Sequence, residues 1–277
     1  MKKITALVLT CALLAGSVFM LTSCSTSEST SKNIRGYDRL IVGITNFRPM
    51  NFLDAKQEWT GFDTDFAIEV GRKLGIPVQF QRIEWARKFL ELEAGAINVI
   101  WNGMTANVVD AVTGLPRNQS VDFTYSYMLN TQAIVIRTAR LADFQNAADL
   151  VGKTVAAEAG SAGQTKAVQA VGNTGTVITP LTQIATFIEV KGGHVDFAVV
   201  DILLAREIVG QGDYTDLTIA PIAMPDEVYA IGFRKGSPMV EIVNAVIVEL
   251  FEEGFMQELA KKYGLESKLA LNKNPIE

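Results

Sequence analysis

The stretch IWNGMTANVVDAVTGLPRNQSVDFTYSY, residues 100–127, predicts a buried strand that ends at a group of polar residues. The apolar run at 99–101 is typical of a strand, and it breaks at Asn102. In an open α/β sheet, ligands bind beyond the carboxyl ends of the strands. Asn102, Thr105 and Arg117 are therefore candidates for binding an anion. The alternative is a surface loop with a solvated arginine, and the rest of the chain has to decide between the two.

The amino terminus has the pattern of a secretory signal. Lys2 and Lys3 precede an apolar run over residues 4–21, and a basic start followed by an apolar stretch is typical of signal peptides. A helix that crosses a bilayer needs ~20 apolar residues, so an uncleaved anchor helix is the alternative. The segment 25–32, STSESTSK, has no apolar residue and is typical of a flexible tether.

The end of the apolar run resembles the lipobox of bacterial lipoproteins. Residues 21–24 read Leu-Thr-Ser-Cys, and in that family the peptide is cut before the cysteine, which then carries the lipid. The resemblance implies a lipoprotein signal peptide at 1–23, lipidation of Cys24 and a lipid-anchored flexible tether at 24–36. We therefore expect an exported, membrane-anchored lipoprotein on the periplasmic or extracellular face.

The composition excludes several classes of function. Cys11 and Cys24 are the two cysteines, and cleavage before Cys24 leaves only the lipidated one, so neither a disulfide nor a thiol nucleophile is expected. The sole histidine, His194, excludes a multi-histidine zinc site. Loss of residues 1–23 removes two lysines and no acid, which takes the formal charge from −5 to −7. An acidic exported domain is a poor candidate for binding nucleic acid. We expect no cofactor, no metal and no nucleic-acid partner.

Strand and helix patterns alternate along the chain. In the first half, strand patterns at 40–43, 77–81 and 97–101 alternate with amphipathic helix patterns at 66–74 and 85–92. Such alternation predicts parallel βαβ winding with right-handed crossovers. The second half repeats it, with strands at 154–157, 176–178 and 195–200 and helices that begin near Ser161, Leu181 and Ile202.

Two further strand patterns, at 132–137 and 228–233, fall outside the βαβ units and are placed to cross between two lobes. Two crossings return the final helices, which are split at Gly254, to the first lobe. The predicted fold class is therefore α/β, a bilobal clamshell whose hinge strands absorb closure around a ligand. The expected boundaries are lobe 1 at 37–131 plus 232–277, lobe 2 at 137–225, and hinge strands at 132–136 and 226–231.

Polar and aromatic residues at three turns have two interpretations each. The glycine-rich turn before Ser161 either offers free N–H groups to an anion or is an ordinary turn that Ser161 caps. Asp201 follows a strand in the same relation as Asn102, and it is a ligand-binding residue, a helix N-cap or both. Phe47, in the loop after the first strand, either fills the core or faces a ligand.

Several stretches together resemble the extracellular (periplasmic-type) solute-binding proteins of polar amino-acid ABC transporters. No single motif is strongly specific, but the ordered set is, and it covers residues 40–264. The resemblance implies a venus-flytrap fold with an α-amino acid in the cleft between the lobes. The matching segments are WTGFDTD at 59–65, Trp85, NGMT at 102–105, VDFT at 121–124, AGS at 159–161, the segment 195–201 and the segment 253–264.

The resemblance also implies a role for each candidate residue. Arg117 would pair with the α-carboxylate in a bidentate fashion, with further hydrogen bonds from Thr105, the Gly103 backbone and N–H groups near Ser161. Asp201 would bind the α-ammonium group, and two aromatic residues would sandwich the side chain. The expected ligand-binding residues are Phe47, Trp85, Asn102, Gly103, Thr105, Arg117, Ser161 and Asp201.

The chain departs from the family pattern before Arg117. The family's arginine stands closer to the Thr105 position, and this chain has Asp110 there. The additional residues at 106–116 either reshape the pocket for a different ligand or keep Arg117 out of it, and we favour the first.

Three other departures affect the expected ligand contacts. Thr45 and Asn46 stand where an acidic residue is often found, which makes a cationic ligand side chain less expected. Ala162 stands where a hydroxyl residue is usual, so one donor to the carboxylate is lost. Arg87 and Lys88 stand where acidic and glycine residues are usual, and we expect them on a solvated helix face rather than in the cleft.

The predicted protein is a monomeric, lipid-anchored binder that captures a small polar solute, an amino acid in the first instance, and delivers it to an ABC permease. The first alternative is an enzyme, because some relatives of this fold are dehydratases of prephenate or arogenate. Glu84, Glu158 and Asp201 are the candidate general acids, but none has a sequence context that demands the role, so we expect no enzyme. The second alternative is a sensory or adhesive lipoprotein that keeps the fold without transport.

Overall fold

The computed structural model describes residues 36–274. The signal peptide predicted at 1–23, the lipidation site Cys24 and almost all of the tether predicted at 24–36 lie outside the described residues. Between residues 36 and 274, no helix is long and apolar enough to cross a membrane.

Strands and helices alternate through the described part, as the sequence predicts, and two 3-10 turns, Trp85–Arg87 and Arg117–Gln119, carry predicted site residues. The elements in chain order are β1 (Leu40–Ile44), β2 (Phe52–Leu53), β3 (Trp59–Thr60), α1 (Phe62–Leu74), β4 (Val78–Arg82), α2 (Lys88–Glu93), β5 (Val99–Ile100), β6 (Val121–Phe123), β7 (Ser126–Arg137), β8 (Thr154–Ala156), α3 (Ala162–Val171), β9 (Thr176–Ile178), α4 (Gln183–Gly192), β10 (Phe197–Asp201), α5 (Ile202–Ile208), β11 (Leu217–Ile219), β12 (Asp226–Tyr229), β13 (Gly232–Arg234), α6 (Met239–Glu252), α7 (Phe255–Lys262) and β14 (Leu269–Asn272).

The first lobe is built on a five-stranded sheet in the order β4-β1-β5-β13-β6. β1 pairs in parallel with β4 and β5, whereas β13 runs antiparallel to β5 and β6. Helix α1 buries Phe66 and Val70, which lie one turn apart on the same face. The ring of Phe66 meets Trp101 edge-on, with ring centroids 4.9 Å apart. This aromatic contact fixes the strand end at which Asn102 follows.

The second lobe is built on a seven-stranded sheet whose central path is β11-β7-β10-β8-β9. β8 pairs in parallel with β9 and β10, and β7 is antiparallel to β10 and β11. The parallel strands β8 and β10 are almost wholly apolar and buried, as expected for strands that are covered by helices on both faces, whereas β9 at the edge is partly exposed. Together the two sheets confirm the predicted bilobal α/β fold.

Strand β7 takes part in both regions of the molecule. Its residues 128–131 pair with β12, and its residues 132–137 pair with β10 and β11. The prediction of one continuous strand at 228–233 was wrong, because β12 and β13 lie in different sheets. Between them the backbone changes partners, and the Ala230 N–H donates to the Met104 carbonyl at 3.0 Å. The predicted hinge and lobe boundaries stay a prediction.

The additional residues at 106–116 form a tight loop that contacts the second lobe. The Asp110 N–H donates to the Leu115 carbonyl at 2.9 Å and closes the loop. The Thr165 hydroxyl, on α3, donates to the Val109 carbonyl at 2.8 Å. The loop therefore bridges the two lobes beside the entrance to the cleft.

Candidate functional site

A cavity lies between the lobes at the carboxyl ends of several parallel strands, where the open-sheet rule places a ligand. About 350 Å³ of space free of protein atoms, open solvent included, lies between its lining residues. The structure brings all eight predicted residues to this cavity, although their roles in binding stay a prediction. The lining residues are Thr45, Phe47, Trp85, Asn102, Gly103, Thr105, Arg117, Gln132, Glu158, Ser161, Ala162, Gly163, Gln183 and Asp201.

Arg117 reaches the cavity and is only 1% exposed, so the alternative of a solvated surface arginine is wrong. Its Nε donates to Asp110 at 3.2 Å, Nη1 donates to the Thr105 carbonyl at 2.9 Å, and Nη2 donates to the Gly160 carbonyl at 3.0 Å. A guanidinium has five N–H groups, so each terminal nitrogen keeps one for a further acceptor. Burial lowers the pKa of Arg117, while Asp110 opposes that shift; an arginine stays charged nevertheless.

Lys88 lies beside Arg117 and is fully buried, so the expectation of a solvated face for this residue was wrong; Arg87 is exposed. The Lys88 Nζ lies 2.7 Å from Asp110 Oδ2 and 2.9 Å from the Gly160 carbonyl oxygen. Burial, and then the charge of Arg117, lowers the pKa of Lys88 to about 7. Burial alone would raise the pKa of Asp110, but the two cations together lower it.

The amino terminus of α3 faces the cavity from the second lobe. The Ser161 hydroxyl accepts a hydrogen bond from the Gln164 N–H at 3.0 Å, so Ser161 is the helix N-cap. The first N–H groups of a helix have no intrahelical acceptor, and those of Ala162 and Gly163 belong to residues that line the cavity. The turn is therefore capped by Ser161, and its role as a source of free donors for an anion stays a prediction.

Asp201 closes the cavity on the side of β10. Its Oδ1 accepts the Leu203 N–H at 3.0 Å, which makes it the N-cap of α5, and its Oδ2 accepts bonds from Asn130, at 2.8 Å, and from the Tyr229 hydroxyl. Burial raises the pKa of Asp201 to about 7. The carboxylate is thus held by neutral donors alone, without a cation of the protein beside it.

Glu158 is a second buried carboxyl group in the cavity wall. Burial raises its pKa to about 8, although Lys88, the Gln183 N–H and Arg117 act in the opposite direction. Gln183 also accepts the Asp201 N–H through its side-chain oxygen at 3.0 Å. One glutamine therefore fixes both acidic residues relative to each other.

The other predicted residues in the first lobe have partners within the protein. Asn102 accepts the Thr45 N–H at 3.1 Å and the Thr45 hydroxyl at 2.7 Å. The Gly103 N–H donates to Asp63 at 2.6 Å, and the Thr105 hydroxyl lies 3.1 Å from Glu227. These side chains fix the turn after β5, and the aromatic rings of the set cover the cavity.

Sequence reasoning missed three of the groups that determine the charge of the site. Lys88 was expected on a solvated face, Glu158 was considered only as a candidate acid for an enzyme, and Asp110 was considered only as the residue in the usual arginine register. The useful signal for Glu158 was its position directly after a buried strand, the same position that singled out Asn102 and Asp201. Within residues 36–274, no group of three or more His, Cys, Asp or Glu side chains is arranged to hold a metal ion.

The fold and the cavity define a two-lobed solute-binding protein. Residues 40–266 match the bacterial extracellular solute-binding proteins, family 3, and the chain belongs to this family. The family membership confirms the resemblance that the sequence motifs indicate.

Curated and solved relatives bind amino acids. The arginine-binding extracellular protein ArtP of Bacillus subtilis is 25% identical over 248 residues, which is 88% of this chain and 92% of the relative. A substrate-binding protein of an ABC uptake transporter from Streptococcus pneumoniae, solved with bound histidine, is 30% identical, with a TM-score of 0.71 over 81% of this chain and 92% of that one. The ancestral amino-acid-binding protein AncCDT-1, a precursor of cyclohexadienyl dehydratase, is 25% identical, with a TM-score of 0.71 over 81% of this chain and 95% of that one.

Proposed function

We propose that this protein captures an α-amino acid in the cavity between its lobes and delivers it to the permease of an ABC importer. Lipidation of Cys24 would hold it at the outer face of a membrane. The observation that carries the proposal is that the lining of one cavity combines Arg117 and the amino terminus of α3 with the buried carboxyl group of Asp201.

This arrangement fits a zwitterion because each of its charges meets a group of opposite sign. The two unused N–H groups of Arg117 and those of the α3 terminus suit a carboxylate. Asp201 suits an ammonium group, since its own donors are neutral. A ligand that loses its water shell needs both charges matched, because an unmatched buried charge costs several kcal/mol.

The ligand's side chain is, in this proposal, cationic. After a carboxylate has paired with Arg117 and an ammonium group with Asp201, Glu158 remains in the cavity wall as a carboxyl group without a cation that touches it. The expectation against a cationic side chain rested on Thr45 and Asn46 in the first lobe. Glu158 offers an acid from the second lobe instead, and the arginine and histidine bound by the relatives carry side chains that suit it.

A dehydratase is the second candidate, because Glu158 has a pKa of about 8 and so holds a proton at neutral pH, as a general acid must. The dehydratase connection of AncCDT-1 points the same way. Capture remains the better-supported function, since the cavity supplies a complementary group to each charge of an amino acid.

Isothermal titration calorimetry with the twenty standard L-amino acids tests the proposal, with thermal shift as a second readout. We expect saturable binding that is strongest for arginine, lysine or histidine. Asp201→Asn should weaken that binding, whereas Asp216→Asn, at an exposed site of the same lobe, should not. No binding of any amino acid at millimolar concentration would refute the proposal, and turnover of prephenate would favour the dehydratase.

The lipid anchor has its own test. Expressed as the full chain in a bacterium, the protein should sediment with membranes, and Cys24→Ser should release it to the soluble fraction or leave the precursor uncut. An unchanged distribution and an unchanged mass would contradict lipidation of Cys24.

A further inference from the structure

We propose that Lys88 is the positioning residue for carboxylate recognition, because it holds Arg117 of one lobe and the amino terminus of α3 of the other lobe in a single hydrogen-bonded cluster. The inference rests on the proposed function, since it concerns the same cavity. Lys88 does not line the cavity itself and so acts through its neighbours.

The cluster consists of two cations that share two acceptors. Asp110 Oδ2 lies 2.7 Å from Lys88 Nζ and 3.2 Å from Arg117 Nε. The Gly160 carbonyl accepts from Lys88 at 2.9 Å and from Arg117 Nη2 at 3.0 Å. Each acceptor therefore ties the position of one cation to that of the other. An acceptor that is shared in this way fixes an arginine more firmly than its own bonds alone would.

Gly160 connects the cluster to the second lobe. It directly precedes Ser161, the N-cap of α3, and its own N–H is held by Gln164 at 2.7 Å. Close approach of the lobes at this point depends on the absence of a side chain, since a Cβ on Gly160 would lie 2.7 Å from the Ala86 Cα. Lys88 thus places the free N–H groups of α3 and those of Arg117 around one point.

Lys88 also sets the sign of the charge at this end of the cavity. Lys88, Arg117 and Asp110 together carry one net positive charge, which falls to zero when Lys88 is neutral. The charged groups that face Lys88 are Asp110 on the 106–116 loop, Arg117 on its 3-10 turn and Glu158 on the second lobe. The rings of Trp85 and Phe89 cover it, with the Nζ 5.2 Å and 4.5 Å from their centroids.

Protonation of Lys88 should therefore couple to binding. Burial holds the pKa of Lys88 at about 7 in this arrangement. A carboxylate that arrives beside the cluster favours the charged lysine, so binding takes up a proton above that pH. The contribution of Lys88 to affinity should fall as the pH rises above 7, against the gain expected as Asp201 and Glu158 ionise, and Lys88→Arg, whose charge is permanent, should remove that fall.

A matched pair of ligands separates positioning from general stability. L-Arginine and L-argininamide differ only at the carboxyl group, and L-histidine and L-histidinamide form a second pair. At pH 6 we expect the wild-type protein to prefer each acid over its amide. Lys88→Met should reduce that preference at least about fivefold, a typical size for coupling between sites, while affinity for the amide changes little. Lys88→Gln, which keeps a donor, serves if Lys88→Met does not fold.

The matched control is Lys73→Met, which removes another lysine that pairs with carboxylates in the first lobe, at 2.7 Å from Glu249 and Glu253, but outside the cavity. It should leave the acid-to-amide preference unchanged. An equal loss of acid and amide binding in the Lys88 variants, or an unchanged preference, would overturn the inference while leaving the proposed function intact.

Hydrogen exchange provides a readout that needs no ligand. In the free protein, Lys88→Met should raise the exchange rate of amides at 157–165 in the second lobe, because the Gly160 carbonyl loses one of its two donors from the first. A purely local role for Lys88 would raise exchange only around α2, and that result would overturn the inference even if no amino acid bound.

Discussion

The two ends of the cavity solve the problem of buried charge in different ways. At the end proposed for the carboxylate, Lys88 and Arg117 both pair with Asp110 and donate to backbone carbonyls. At the end proposed for the ammonium group, Glu158 and Asp201 accept hydrogen bonds from neutral donors, and burial raises the pKa of both, although Lys88 and Arg117 oppose the shift of Glu158. The two cations of the first end thus have a carboxylate partner without a ligand, whereas the acids of the second form no ion pair with any residue at 36–274.

The difference shows how a protein can fold around a small cavity that is polar at both ends. A buried ion pair contributes little net stability, but removal of one partner is costly because it leaves the other charge unmatched. A buried acid avoids that cost by holding a proton. Removal of one member of the first group should therefore be costly, whereas neutralisation of a buried acid in the second should not destabilise the ligand-free protein.

Arg117→Ala should have the largest effect on affinity, because it removes a cation from one end of the cavity. It removes the bidentate donor and leaves Asp110 with Lys88 alone, and loss of one member of a buried charged pair costs about 2–5 kcal/mol. Affinity for an amino acid, measured by calorimetry, should fall by about a hundredfold or more. Arg140→Ala, in a surface ion pair with Asp196, is the control. Binding of Arg117→Ala with the affinity of the parent protein would show that the arginine plays no part in recognition.

Gly160→Ala should push the second lobe away from the first at this side of the cavity. The new methyl would lie 2.7 Å from the Ala86 Cα and 3.3 Å from Val112 Cγ2, so closure of the lobes would strain the site by about 1–3 kcal/mol. We expect affinity to fall by roughly tenfold to a hundredfold. Gly172→Ala is the matched control, because Gly172 also has a positive φ, of 64°, but no atom within 4 Å of a Cβ. Equal losses of affinity in both variants would point to backbone strain rather than to closure.

Glu158→Gln should stabilise the ligand-free protein in a pH-dependent manner. Burial raises the pKa of Glu158 in the folded protein to about 8, above its ordinary value of 4.5. The free energy of unfolding of the native protein therefore falls as the pH rises from about 4.5 to about 8, by at most about 1.4 kcal/mol per pH unit. The variant with glutamine does not show this fall. Urea unfolding from pH 4 to 9 should show a gain that grows over this window and then levels off. Glu84→Gln, at an exposed position, is the control, and an equal gain there would attribute the effect to net charge.

Thr165→Val should have the smallest effect on affinity. It removes the hydrogen bond of 2.8 Å by which α3 holds the 106–116 loop, and a hydrogen bond of this kind contributes about 0.5–1.5 kcal/mol. The dissociation constant should rise about twofold to tenfold, mainly through faster release in stopped-flow measurements. Thr176→Val, on the exposed start of β9, is the control. An unchanged release rate would mean that the loop does not contribute to closure.

The sequence predicted most of the fold because its signals are local. Helix α1 follows from apolar residues at helical spacing and a terminal Gly75, which does adopt the left-handed conformation. Asn102, Glu158 and Asp201 all follow buried strands, and parallel strands bring their carboxyl ends to one edge. This topological rule is why residues far apart in sequence could be assigned to one cavity.

The remainder depended on contacts that have no local signal. Lys88 pairs with Asp110, 22 residues away, and donates to the Gly160 carbonyl, 72 residues away, and a lysine on an amphipathic helix otherwise predicts a solvated face. The break at residues 230–231 lies in an apolar run whose glycine, Gly232, comes only after it, and only the pairing of β12 and β13 with different sheets reveals the break.

The position of β13 has a consequence for the order in which the chain folds. β13 lies between β5 and β6 in the first sheet, and its Phe233 pairs with Val99. The first sheet therefore lacks an inner strand until residue 234 is available, whereas every parallel strand of the second sheet is already complete at residue 201. Loop closure over such a distance is slow. As the chain emerges from a ribosome or a translocation channel, the second lobe can assemble first and serve as the surface on which the first lobe is completed.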